Sequence, residues 1–195
     1  GPPRVREETV MSVETTMITR ERSATALRMA GLMVAFALLT ALAAQIRIPL
    51  PFTPVPITLQ VFIVLLAGYY LGPLAAAGSM VLYLTLGSGG LPVFSGGGGG
   101  FSVLGGFTGG YLLALPLAAM VTGWLARRRA SVTGRVFAGL AGLAVIHVSG
   151  ALWLAFMAPA SPGSTMGILT WSFFPFIGAD VVKALVAERV TRTTS

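Results

Sequence analysis

Residues Met29 to Ile46 read MAGLMVAFALLTALAAQI. No charge interrupts this run. At about 1.5 Å of rise per residue, a helix of that length nearly crosses the roughly 30 Å hydrocarbon core of a bilayer. Five more apolar stretches follow: Ile57 to Leu71, Leu74 to Gly87, Gly109 to Ala126, Val136 to Met157 and Met166 to Ala187. Their hydrophobicity is continuous, whereas a membrane β-barrel alternates polar and apolar positions. In lipid a helix satisfies its own backbone. The expected fold is therefore an all-α membrane protein, with six transmembrane helices in a compact bundle. Helix breakers fall between the stretches: Pro49, Pro51, Pro54 and Pro56 after the first, Gly72-Pro73 after the second.

Composition agrees. Of 195 residues, 55% are hydrophobic and 10% charged, against about 25% charged in an average soluble domain. That excludes most soluble enzymes, disordered chains and nucleic-acid-binding domains. The net charge of +7 arises from 13 bases against 6 acids, which fits basic cytoplasmic loops. With no cysteine and one histidine, disulfides, thiolate chemistry, iron–sulfur clusters and a paired-histidine metal site are excluded. Arg4, Arg6, Arg20, Arg22 and Arg28 precede the first span, Arg127, Arg128, Arg129 and Arg135 follow the fourth, and Arg189 and Arg192 follow the sixth. Arg47 alone falls on the opposite side. The positive-inside rule then makes both termini cytoplasmic in the cell membrane. Residues 1–28 are expected to form a polar cytoplasmic tail that becomes helical near the membrane, 29–187 the six-helix domain, and 188–195 a cytoplasmic C-terminal tail. The opening Gly1-Pro2 is compatible with the remnant of a cleaved tag. The competing reading of the first span, a signal peptide cut near Ala41-Leu42-Ala43, spoils the arginine pattern.

Asp180 is the only aspartate and Lys183 the only lysine, three apart in an apolar segment, so a helix puts them on one face. A charge at mid-membrane costs on the order of 3 kcal/mol. Buried pairs often add little stability over apolar residues. A structural staple therefore leaves the charges without a reason, whereas a ligand site supplies one.

Other features carry two readings each. The stretch Gly87 to Gly110 is either a flexible loop or a compact lid with backbone groups facing a ligand; a nucleotide fingerprint is rejected for want of the strand–helix context. Phe52, Thr53, Thr58 and Gln60 can line a mouth. Arg47 can attract an anion or snorkel to the interface. His147, with no acid in its own span, reads as a satisfied core histidine. Small-residue pairs in the first span, Ala26/Ala30, Gly31/Ala35 and Ala37/Ala41, serve either internal packing or a membrane partner. Leu86-Gly87-Ser88-Gly89 lacks the first glycine of a rhomboid-type serine motif, a lone aspartate cannot form an aspartyl protease pair, and no Gly-x4-Gly-Lys-Ser/Thr loop is present. No enzyme activity is expected.

Taken in order, Ile48-Pro49-Leu50-Pro51, Pro56-Ile57-Thr58-Leu59-Gln60, Leu65-Leu66-Ala67-Gly68, Leu71-Gly72-Pro73, Gly90-Leu91-Pro92-Val93-Phe94, Thr108-Gly109-Gly110-Tyr111-Leu112 and the Asp180/Lys183 pair resemble the BioY family, the biotin-binding S components of energy-coupling factor (ECF) transporters. The resemblance spans about Ala26 to Ala187. Phe107 stands where the family has proline, Gly178-Ala179 where it has Pro-Gly, and Arg47 where a small polar residue is more usual. The resemblance implies high-affinity biotin capture for vitamin uptake, with no cofactor and no nucleic acid. It implies a pocket near the external face under the loops after helices one and three, in which Asp180 and Lys183 contact the vitamin. Phe52, Thr53, Gln60 and Gly109 join them as candidate site residues, with Tyr83, Phe94, Tyr111 and Trp171 as candidate apolar walls. It also implies partners beyond membrane lipid: a transmembrane coupling (T) component, met by a helix-one face at Ala37 and Ala41, and two cytosolic ATPase subunits. An S component for another vitamin and a channel or structural membrane protein are the rival functions.

Overall fold

Proline and glycine punctuation cuts the chain into helices close to where the hydropathy breaks. The computed structural model describes residues 3–51, 55–129, 131–157 and 174–193. Within them the elements are α1 (Pro3–Gln45), β1 (Arg47–Ile48), β2 (Ile57–Thr58), α2 (Gln60–Leu71), α3 (Pro73–Ser88), α4 (Phe101–Leu104), α5 (Gly109–Arg128), α6 (Val132–Met157) and α7 (Phe174–Thr193). By length and composition, Thr19–Gln45, Gly109–Arg128 and Val132–Met157 can each cross a membrane, while Gln60–Leu71 and Pro73–Ser88 are shorter apolar helices. The chain is thus predominantly helical with three clear candidate spans. The start expected for the sixth span, at Met166, lies outside the described residues.

Two units divide the chain, residues 1–32 and 33–195. The first is helical from Pro3 onward, which corrects the expectation of a tail ordered only near the membrane. Its arginines, glutamates and methionines are good helix formers. Ser23 and Thr25 spend their hydroxyls on the carbonyls of Thr19 and Glu21, at 2.9 Å each.

In the second unit, the end of α1 packs on α3. Ser79 Oγ donates to the Met33 carbonyl at 2.8 Å, and Ala37, Thr40 and Ala44 are fully buried. α5 packs against α2, α3 and α6. The α2–α5 approach is so close that a Cβ on Gly123 would stand 2.8 Å from the Gly68 carbonyl oxygen and from Pro73 N. Small residues let helix backbones meet in this way, as lipid-facing interfaces require. Pro116 sits inside α5, where a buried helix tolerates it better than an exposed one. Arg127 Nη2 donates to the Leu71 carbonyl at 3.1 Å and so satisfies the C-terminal end of α2.

The expected proline loop contains a small antiparallel ribbon, with Arg47 opposite Thr58 and Ile48 opposite Ile57. Of the two readings of the glycine stretch, the structure has the compact one. Phe94 N donates to Gly98 O at 2.9 Å, Gly97 N to Phe94 O at 3.1 Å and Gly100 N to Gly87 O at 2.7 Å.

Candidate functional site

The ribbon, the glycine stretch, the first turns of α2 and α5, the middle of α6 and the Asp180–Lys183 stretch of α7 line a cavity of about 190 Å³. Its floor is apolar, with Val61, Leu112, Leu115 and Ile146, and Phe94 and Tyr111 form aromatic walls. Polar groups reach it from separate elements: Arg47 from β1, Thr58 from β2, Gln60 from α2, Ser95 from the glycine stretch, Thr108 before α5, His147 from α6, and Asp180 and Lys183 from α7. Such a lining, apolar with a few placed polar groups, is the usual build of a small-molecule pocket.

Asp180 is 2% exposed, and both its oxygens are engaged. Lys183 Nζ donates to Oδ1 at 2.6 Å, and His147 Nε2 lies 2.7 Å from Oδ2. Lys183 Nζ also donates to the backbone carbonyl of Thr58 at 2.8 Å. An ionised carboxylate has about four lone-pair sites and an ammonium three N–H donors. Two of the former and one of the latter remain, and both residues line the cavity. Gln60 Nε2 and Ser95 Oγ are buried among the described residues without a hydrogen-bond partner. A buried polar group left unpaired costs about 1–3 kcal/mol.

The structure brings together Asp180, Lys183, Gln60, Phe94 and Tyr111 of the expected site residues. Tyr83 does not line the cavity. It is fully buried behind the wall, edge-on to Phe94 with ring centroids 5.6 Å apart, and its hydroxyl donates to the Val93 carbonyl at 3.2 Å. Gly109 does not line it either. A Cβ added there would run into the Leu104 carbonyl and the Trp153 ring, and its neighbour Thr108 lines the cavity instead. Phe52, Thr53 and Trp171 lie outside the described residues. Ala37 is fully buried and Ala41 half-buried against the chain's own core. Ala37 thus turns inward: a four-residue spacing fixes a helix face but not the direction it points. The outward side of this helix carries Val34, Leu38, Leu39 and Leu42.

His147 is the satisfied core histidine expected, buried with its Nε2 on Asp180, a partner 33 residues away that its own span does not reveal. Thr108, Ser95 and Gln45 escaped the sequence reading. Gln45 Nε2 donates to the carbonyls of Val93 and Phe94 at 3.3 and 3.1 Å, and its Oε1 accepts from Gly97 N at 2.9 Å. That side chain ties the end of α1 to the segment that carries Phe94 and Ser95. The only signal for it was a polar residue at the end of an apolar span.

Apolar helices around a cavity that holds one acid, one base and a few neutral polar groups define a helical membrane protein with a small-molecule pocket. The chain belongs to the BioY family, whose model matches residues 14–195. It is 40% identical over 168 residues to a probable biotin transporter BioY of Pyrococcus horikoshii, covering 84% of this chain and 96% of that one. With the biotin transporter BioY of Thermotoga maritima it shares 40% identity over 143 residues, 73% of this chain and 82% of the relative. Among solved structures it resembles the crystal structure of the S-component for biotin from an ECF-type ABC transporter, with a TM-score of 0.77 and 27% identity over 88% of this chain and 92% of that one.

Proposed function

We propose that this protein is the biotin-capturing substrate component of an ECF transporter in the cell membrane. It crosses the bilayer six times with both termini in the cytoplasm, and it works with a transmembrane coupling component and two cytosolic ATPase subunits that supply the energy. The observation that carries the reading is the Asp180–Lys183 pair, buried and facing a cavity rather than sealed among helices. Biotin's cyclic urea has two N–H donors beside one carbonyl, the complement of a carboxylate with free lone pairs next to an ammonium with a free N–H. Its thioether ring suits Phe94 and Tyr111, and its acidic tail suits Arg47 at the mouth. The cavity also disfavours the reading of the pair as a helix staple, which needs no void beside it. The membrane topology is supported by the arginine distribution, with Arg127, Arg128 and Arg129 closing α5.

Calorimetric titration of purified, ligand-stripped protein with biotin tests the proposal. Saturable binding of one biotin per chain is expected, with no heat from thiamine or riboflavin. Binding of either of those vitamins in place of biotin makes the protein an S component of other specificity. Absence of any saturable binding overturns the capture reading.

A further inference from the structure

We propose that His147 is a positioning residue for ligand capture: donating through Nε2 to Asp180 Oδ2, it holds the carboxylate turned so that its remaining lone pairs face the cavity. The inference rests on the capture reading above and assigns one further residue to it.

The terminal torsion of an aspartate is broad, so a carboxylate held at one oxygen can still swing. Lys183 holds only Oδ1, and it does so from the same helix on a flexible four-carbon stem. His147 holds the other oxygen from a different helix, α6, at 2.7 Å. An ionised carboxylate only accepts, so Nε2 carries the proton of this contact. The imidazole has little freedom of its own. It is 6% exposed, and Tyr111 stands edge-on to it with ring centroids 6.3 Å apart and planes at 84°. Tyr111 is itself seated against Gly150 on α6, where its ring occupies the space a Cβ would need. His147 thus fixes Asp180 to a wall of the cavity that α7 does not carry. Without it, the acceptor that meets the ligand's N–H groups is oriented by a single flexible lysine.

The test compares two variants by calorimetric titration with biotin and by thermal unfolding without it. His147→Phe keeps a ring against Tyr111 and has no N–H, and it is expected to weaken biotin binding at least tenfold. His147→Gln can place an amide N–H where Nε2 stands, and it is expected to bind within about threefold of the unmodified protein. Should His147→Phe fail to fold, His147→Leu replaces it with the same expected loss. In an Asp180→Asn background, removing the His147 donor is expected to cost nothing further, since the effect runs through the carboxylate. Unchanged affinity in the ring-only variant overturns the inference. So does a glutamine variant as weak as the phenylalanine one, or losses that add fully in the double variant. If the unmodified protein itself gives no biotin heat, the capture reading fails; if it binds and the histidine variants bind equally well, only the role of His147 fails.

Discussion

Lys183 Nζ lies 2.8 Å from the backbone carbonyl oxygen of Thr58, so the ammonium that pairs with Asp180 also fastens α7 to the β1–β2 ribbon. One cation joins the buried acid, the last helix and the strap over the cavity. Pairing with the acid and anchoring of the ribbon therefore draw on the same ammonium.

Lys183→Met removes both contacts while keeping the length of the stem. Asp180 is then left buried with its Oδ1 unpaired, and breaking a buried pair from one side typically costs about 3–5 kcal/mol. The expected outcome is a marked drop in unfolding temperature and a loss of biotin binding of at least a hundredfold. Asp180→Asn should lose as much affinity and also lose stability, because the single amide oxygen can accept from only one of the two donors and Lys183 loses its counter-charge. Titration calorimetry and thermal unfolding of both variants check this; affinity like that of the unmodified protein in either one removes the pair from the site.

Gln45→Ala cuts the side-chain bonds to Val93, Phe94 and Gly97 without touching the cavity lining. A typical net hydrogen bond contributes about 1 kcal/mol. The variant should lose roughly that much stability or slightly more, and biotin should dissociate several-fold faster as the Phe94–Ser95 segment loosens. A stopped-flow chase with unlabelled biotin measures the off-rate. An unchanged rate means the segment is held by its backbone bonds alone.

Gly150→Val puts two methyl groups where the Tyr111 ring now sits. Overpacking a tight contact costs about 1–3 kcal/mol, and the displaced ring narrows the cavity. Biotin binding should weaken and stability should fall together. Tyr111→Ala combined with Gly150→Val should recover part of the stability but not the affinity, since the ring is also a wall.

Biotin at about a hundred times its dissociation constant should stabilise the folded protein by about 2.7 kcal/mol, as for any ligand bound by the native state alone. Thermal unfolding in detergent with biotin, thiamine or riboflavin reads this directly. A shift with thiamine or riboflavin and none with biotin refutes the proposed ligand.

The sequence located the ion pair that lines the cavity because lipid makes charge scarce: one aspartate and one lysine in an apolar stretch mark themselves. Gln60, Phe94 and Tyr111 were legible beside them, and α2, α5 and α6 end within a few residues of the hydropathy breaks. Three things were not legible. The His147–Asp180 contact joins helices 33 residues apart, and neither segment alone holds a sign of the other. The helical onset of α1 at Pro3 lies in polar sequence that hydropathy passes over. The inward turn of Ala37 is a matter of helix rotation, which its small side chain leaves undetermined.

What the chain's composition fixed on its own is the solvent it lives in and the positions where a charge must have a purpose, because the free energy of placing a residue in hydrocarbon depends on that residue and its depth. Which side chains meet, which of them face the cavity and which stand behind its wall followed only from how the helices pack. Those contacts depend on rotation and separation between segments far apart in the chain, and a one-dimensional pattern of polarity carries neither.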